Sequence, residues 1–202
     1  MPHARASAVP TLAPGSGRPR SQRAHRAVLD AAAALFRTGG YAAATIEAIA
    51  EKSGIAKTTI YRHWPNRASL LVNVLVEEAA TVAPIPEGRD PVRALRGEMR
   101  KAGAAMNGLT GQLLTALLGE AQADPEVRAA LVNGLFNPRS DASARAVHRA
   151  QKSGVFRADV PPRVAVDLLF GPLFYRMFVG HAPVTEAFVK QVFHYVSEGL
   201  NA

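Results

Sequence analysis

Residues Thr45 to Arg67 read TIEAIAEKSGIAKTTIYRHWPNR. This stretch decides the fold, because it predicts two short helices joined by a tight turn. The hydroxyl of Thr45 can cap free N–H groups at a helix N-terminus. Ile46, Ile49 and Ala50 then fall at i, i+3 and i+4, which is one apolar face. Gly54 is the residue type most at ease in the left-handed conformation that ends a helix. Ile55 and Ile60 bracket the second helix and point inward. Lys57, Thr58, Thr59, Tyr61, Arg62 and His63 remain as its polar surface. Pro65 closes it, since the residue before a proline is disfavoured in the helical region. Asn66 is a cap for the next helix, with Arg67 in its first turn.

Two helices crossing at a glycine-containing turn form the helix-turn-helix, whose second helix lies in a DNA major groove. The side chains suit that task. Lys57 can bond a base edge or a phosphate, and Thr58 and Thr59 offer hydroxyls and methyls to base edges. Tyr61, His63 and Arg67 are donors suited to phosphate oxygens, which position a protein without reading sequence. The candidate DNA-contacting set is Thr45, Lys57, Thr58, Thr59, Tyr61, Arg62, His63 and Arg67. The same spacing also fits a surface hairpin whose charges only face solvent, and spacing alone leaves both readings open.

Charge distribution favours the first reading. The 202 residues carry a net +8. Residues 1–70 hold ten Lys and Arg against three Asp and Glu, whereas residues 71–202 hold fourteen against thirteen. Nearly all the excess therefore sits with the helix-turn-helix, the electrostatic footprint of a nucleic-acid-binding module. There is no cysteine, which excludes disulfides, thiolate metal sites and cysteine nucleophiles. No run of about 18 apolar residues predicts a membrane span, and no basic helix with an exposed apolar face predicts membrane binding. The N-terminus lacks the apolar core of a secretory signal, so the cytoplasm is the expected compartment.

Along the chain, residues 1–19 are rich in Pro, Gly, Ser and Ala and read as a disordered basic arm. Arg18, Arg20, Arg23 and Arg26 lie at or just beyond its end. Homeodomain-like proteins use such an arm in the minor groove, so Arg20 and Arg23 join the DNA-contacting candidates; a solvated tail has the same composition. The first helix runs from Ser21 to Thr38, with Val28, Ala31, Ala32, Leu35 and Phe36 at helical spacing, and Gly39-Gly40 stops it. Phe36 and Tyr41 are expected under the helix pair. A fourth helix runs from Asn66 to about Thr81. Pro84 to Pro91, PIPEGRDP, breaks the pattern, dividing a head over 20–82 from a second domain over 83–202.

The second domain is helical throughout. Helices are expected over Pro91 to about Met106, Thr110 to about Ala121, and Pro125 to about Lys152, with Asn137-Pro138 as the candidate break. Two more run from the Pro161-Pro162 pair to about Val179 and from Val184 to about Leu200. The total is about nine helices, an all-α protein of two domains. The last two are apolar on more than one side, so each must be buried on more than one side. A twofold dimer meets that need, and an intramolecular core is the other solution. The candidate interface residues are Phe170, Tyr175, Phe178, Phe188, Val192, Tyr195 and Val196.

GIAKTTIYRHWPNRASLL and the upstream AVLDAAAALFRTGGYAAATIEAIAEKSG resemble the head of the tetracycline-repressor (TetR) family of bacterial transcriptional regulators. The matching positions are Gly54, Tyr61, Arg62, His63, Trp64 and Arg67. The resemblance spans roughly Arg18 to Leu71, about a quarter to a third of the chain. Ala56 departs from it where Ser is common, which removes a cap. Trp64 stands for Phe in an apolar slot, and Arg67 for Lys, with a different donor geometry. GPLFYRMFVG and the final helix resemble, more loosely, a second domain that accompanies this head. The resemblance implies a four-helix dimer interface from the last two helices and a ligand cavity among the middle ones. Its implied lining is Met99, Met106, Leu113, Leu117, Phe136, Phe174 and Met177, all of which also suit an ordinary core.

The expected function is a ligand-responsive homodimeric repressor that binds a pseudo-palindromic operator and is released by a mostly apolar small molecule. A DNA-binding regulator that acts architecturally or through a protein partner is the alternative. No enzyme motif is present: there is no HExxH, GxxxxGK[ST] or GxSxG. No catalytic residue, cofactor or metal is expected. None of the six histidines lies at metal-ligand spacing from another histidine.

Overall fold

The structure is a computed structural model describing residues 19–83, 88 and 90–202, with side chains described from residue 21. The arm over residues 1–18 and most of the PIPEGRDP break lie outside the described residues. The described residues form ten α-helices and no strand, with a lone bridge pairing Phe156 with Asn201.

The head comprises α1 (Pro19–Ala43), α2 (Ile46–Ser53), α3 (Lys57–His63) and the start of α4 (Arg67–Val82). Gly39 and Gly40 have non-helical dihedrals, so the regular part of α1 ends there. Thr45 caps α2, its Oγ1 accepting from the Ala48 N–H at 3.1 Å. Gly54 ends α2 at φ 70°, ψ 14°, the left-handed region where a side chain is strained. Ala56 provides no side-chain cap for α3. Asn66 and Ser69 form a reciprocal capping box that starts α4. Val28, Ala32, Phe36, Ile49, Ile60 and Leu71 make a common core under these helices.

The second domain follows as α5 (Pro91–Ala105), α6 (Leu109–Ala123), α7 (Pro125–Leu131), α8 (Asn137–Lys152), α9 (Pro162–Val179) and α10 (Glu186–Leu200). Asp90 and Asp124 each cap a helix that opens on proline, which lacks the N–H that would go unbonded there. Between α7 and α8 the chain widens into a π-turn over Val132–Phe136. Counted through that turn, 125–152 is one helix and the total is nine. The expected break at Asn137-Pro138 is therefore a bulge instead of an end. Pro138 cannot donate a backbone hydrogen bond and its ring crowds the carbonyl four residues back. A wider turn just before it relieves both problems, and π-bulges often mark functional sites. α9 likewise continues through Pro172.

The packing does not divide at the linker. One core joins α1 to α4 with α6 and α7, through Leu71, Val72, Leu75, Leu113, Leu114, Leu117 and Leu131. A second joins α5, α8, α9 and α10 through Leu95, Met99, Val147, Leu169, Leu173 and Phe193. α6 packs on α4 and touches α1. The α5–α6 corner is tight: a Cβ at Gly111 would meet the Met106 carbonyl oxygen at 1.9 Å. Helix α6 can approach α5 only with glycine there.

Candidate nucleic-acid interface and internal cavity

α3 is held by one buried side chain, Ile60, which has no exposed surface. Its opposite face presents Lys57, Thr58, Tyr61, Arg62 and His63 to solvent, with Thr59 half-buried at the edge. Lys57 Nζ donates to Glu47 Oε1 at 3.0 Å, tying the start of α3 to α2. The Lys57 ammonium holds the Glu47 carboxyl below the ordinary carboxylate range. Partial burial, then the charges of Arg62 and His25, holds the His63 imidazole below its ordinary pKa. His63 therefore offers this face a neutral hydrogen-bonding ring more than a charge.

The remaining head candidates occupy different settings. Thr45 is half-buried and committed to its cap. Arg67 is half-buried: its Nη1 donates to the Tyr41 carbonyl at 3.2 Å, and its guanidinium stacks 3.8 Å from the Tyr41 ring centroid. It thus locks the start of α4 to the end of α1. Arg23 is exposed on α1, and the Arg20 side chain lies outside the described residues. Arg26 pairs with Asp30 and Glu77 at 3.0 and 2.9 Å.

Asn73 and His25, neither of them singled out by the sequence, set the pose of α3 through Trp64. Trp64, 3% exposed, donates its indole N–H to Asn73 Oδ1 at 2.9 Å. The His25 ring stacks on Trp64 with centroids 4.9 Å apart. The apolar slot foreseen for Trp64 is present, and the indole N–H, which Phe lacks, has an acceptor in it.

A cavity of about 560 Å³ lies in the second domain. Ala79 of α4 and Ala83 just after it reach it, with Glu98 and Ala102 of α5, Met106 just after that helix, and Thr110 and Leu114 of α6. Phe136 of the π-turn, Arg139 and Ser143 of α8, and Val166, Phe170 and Phe174 of α9 also line it, with Arg163 and Asp167 as further charged members. Of the expected lining, Met106, Phe136 and Phe174 are on the wall. Met99, Leu113, Leu117 and Met177 are not: the first three have no exposed surface and fill the two cores, while Met177 packs against both.

The polar side of the wall carries a buried carboxylate. Glu98 is 2% exposed and accepts from Ser143 Oγ at 2.7 Å. Its Oε1 is 3.5 Å from Arg139 Nη2. Burial raises the Glu98 carboxyl above its ordinary pKa, against the lowering effects of Ser143 and Arg139. The same burial lowers Arg139, with Glu98 opposing. A sequence signal existed, since Glu98 stands three residues after Leu95 and four before Ala102, on the apolar face of α5.

The outer surfaces of α9 and α10 carry two apolar stripes. Val164, Leu168, Tyr175, Phe178 and Val179 are exposed along α9, and Tyr195, 71% exposed, lies on α10. Phe170, Phe188, Val192 and Val196 are half-buried. Among the described residues no helix is long and apolar enough to cross a membrane, and no group of three or more His, Asp or Glu could hold a metal.

Comparison with known proteins agrees with this geometry. The family described as "Bacterial regulatory proteins, tetR family" matches residues 28–74. That described as "Tetracyclin repressor-like, C-terminal domain" matches residues 85–196. An uncharacterized HTH-type transcriptional regulator of Bacillus subtilis (strain 168), YdeS, is 26% identical over 186 residues, 92% of this chain and 94% of that one. The HTH-type transcriptional repressor KstR of Rhodococcus jostii (strain RHA1) is 36% identical over 72 residues, 34% of each chain. The crystal structure of the TetR family transcription regulator SCO0332 aligns with a TM-score of 0.76 at 29% identity, covering 89% of this chain and 100% of that one. FadR of Bacillus subtilis in complex with stearoyl-CoA shares the fold, with a TM-score of 0.67 at 18% identity over 88% of this chain and 100% of that one. The fold and the relatives are those of transcription regulators and not of enzymes. With one family match over its helix-turn-helix and another over most of its second domain, the chain belongs to the TetR family of bacterial transcriptional regulators.

Proposed function

We propose that this regulator is a homodimeric repressor, in which two copies of α3 read a pseudo-palindromic operator and a small molecule in the cavity releases them. The observation that carries the reading is the reach of α4 and α6. α4 begins at the capping box beside α3, and Ala79 in its last turn and Ala83 just after it lie on the cavity wall. α6 places Thr110 and Leu114 on the same wall and packs against α4 and α1. A ligand that fits the cavity better in one setting of α4 and α6 thereby favours one setting of the heads. It shifts the population only by its difference in affinity for the two settings.

Lys57, Thr58, Thr59 and Tyr61 are the residues we assign to base edges and nearby phosphates, with Arg62 and Arg23 on the backbone. Arg67 and Thr45 serve by holding α4 and α2 in place. Repression is supported by KstR, a protein named a transcriptional repressor that shares a 72-residue segment with this chain. An apolar effector is supported by the mostly apolar wall and by the stearoyl-CoA complex of a protein with this fold.

The test is fluorescence anisotropy of the purified protein on DNA from upstream of its own gene, against a scrambled duplex, with salt varied. The proposal expects selective binding with a steep negative salt slope and release of that DNA by a small molecule. Equal, weak binding to both duplexes overturns it. Selective binding that no compound in a broad effector library releases favours a regulator acting through a protein partner.

A further inference from the structure

We propose that the cavity contains a polar subsite, formed by Thr110, Arg139 and the Glu98–Ser143 pair, which selects an uncharged aromatic molecule bearing a hydroxyl or carbonyl oxygen. The proposal rests on the effector reading above and names its chemistry.

Two residues of the wall each carry a buried polar atom that lacks a partner among the described residues. Thr110 is 7% exposed and its Oγ1 has no hydrogen-bond partner. Arg139 Nη2 is buried in the same condition. Its distance to Glu98 Oε1, 3.5 Å, is an ion-pair separation but too long for a well-formed N–H···O bond. Buried polar atoms are nearly always bonded, so each exception needs a reason. Here both residues line one cavity, and a side-chain rotation that turns either orphan atom toward the cavity would let a ligand oxygen satisfy it. Arg139 can only donate, whereas a threonine hydroxyl donates or accepts.

The buried charges on the wall already form a pair. Glu98 faces Arg139, whereas Asp167 and Arg163 are exposed to solvent. Arg163 is already paired with Asp141. An entering carboxylate would have to take Arg139 from Glu98, leaving a buried carboxylate without its counter-charge. An ammonium would gain Glu98 only by crowding Arg139. A neutral oxygen meets both orphan groups and disturbs neither pair. The body of the ligand then faces Phe136, Phe170, Phe174 and Met106. The Phe136 and Phe174 rings stand 5.6 Å apart at 50°, which offers an edge and a face to a flat ring.

The test uses three probes of one shape, naphthalene, 2-naphthol and 2-naphthoate, titrated into the full-length protein without DNA. We expect 2-naphthol to bind about tenfold more tightly than naphthalene, and 2-naphthoate to bind most weakly. Thr110→Val should reduce the naphthol preference severalfold, and Thr110→Ser should keep it. Adding Glu98→Met with Arg139→Met removes both charges together and should erase what remains. The ligand-free melting temperature of Thr110→Val should hold or rise, because an orphan hydroxyl is gone. A fall would mark Thr110 as structural and overturn its role. Equal affinity for naphthol and naphthalene, tightest binding of naphthoate, or no binding of any probe also overturns the proposal. So does a preference that survives the triple change, since groups other than these then hold the ligand oxygen. DNA release is read separately. Selective binding without any effect on the operator keeps the subsite and removes the effector reading. Release by naphthalene and naphthol alike does the reverse.

Discussion

The indole N–H of Trp64 donates to Asn73 Oδ1 at 2.9 Å across the junction of α3 and α4. Trp64 is the residue that ends α3, and Asn73 lies two turns into α4. The bond therefore fixes the angle at which the recognition helix leaves the body of the head. Asn73→Leu leaves a buried N–H without an acceptor, which costs about 1–3 kcal/mol. We expect a lower urea midpoint and weaker operator binding, with Lys57 and Tyr61 untouched. Trp64 is the sole tryptophan, so its emission reports the site directly. An unchanged spectrum and midpoint would show that the bond does not hold α3.

Glu47 competes with DNA for Lys57. The pair is exposed, with Nζ 3.0 Å from Oε1, and a surface pair of this kind contributes little to stability. Its effect on binding is larger, because a phosphate or base must draw Lys57 away from a carboxylate that also repels DNA. Glu47→Gln should tighten binding to both specific and scrambled duplexes severalfold, while the melting temperature moves little. Acidification should act in the same direction in the parent protein. The lowered Glu47 pKa places that gain below the ordinary carboxylate range. Anisotropy titrations of parent and variant at matched salt decide the matter, and unchanged affinity in the variant would remove the competition.

The helix-turn-helix was legible because its signals are local. Thr45, Gly54 and Pro65 each impose a backbone state on their own neighbourhood, and the observed cap, left-handed turn and helix end sit where they place them. The partner of Trp64 was not legible: the apolar slot follows from residue type, but an acceptor nine residues away depends on the angle between two helices. The cavity was half legible for a similar reason. Met106 and Phe174 line it whereas Met99 and Leu117 fill cores, and all four are apolar at helical spacing. Whether such a residue meets a neighbour or a void depends on helix separation, which hydrophobicity does not encode. The π-turn before Pro138 helps set that separation by bringing Phe136 to the wall.

Glu98 makes stability depend on pH. Burial raises its folded-state pKa above the ordinary value, despite the Ser143 hydrogen bond and the Arg139 charge. The folded state then holds the proton more tightly than the unfolded state. This contribution is fully present below the unfolded pKa and is lost as pH rises through the folded one. Glu98→Gln keeps an acceptor for Ser143 and cannot ionise. Urea unfolding of parent and variant between about pH 4 and pH 8, a window that opens near the ordinary glutamate value, should show the parent losing stability relative to the variant as pH rises. A constant difference across that range would mean that Arg139 fully compensates the buried charge.

The exposed stripes on α9 and α10 test the dimer. Leu168 and Tyr175 stand seven residues apart, two turns of α9, and are 49% and 63% exposed, while Tyr195 on α10 is 71% exposed. Large apolar side chains left exposed on two neighbouring helices are the candidates for an association surface. In a twofold dimer each substitution acts twice, once from each copy. Leu168→Asp with Tyr195→Asp should thus yield a monomer by light scattering, with helical circular dichroism intact because neither side chain belongs to a core. A monomer presents one α3 to a two-half-site operator. Its specific affinity should fall at least about a hundredfold, as the second half-site becomes a separate binding event. Its residual binding to a single half-site should match the parent's, because the α3 face is unaltered. A variant that stays dimeric would move the interface away from these stripes. A variant that is monomeric yet keeps full operator affinity would show that one head suffices.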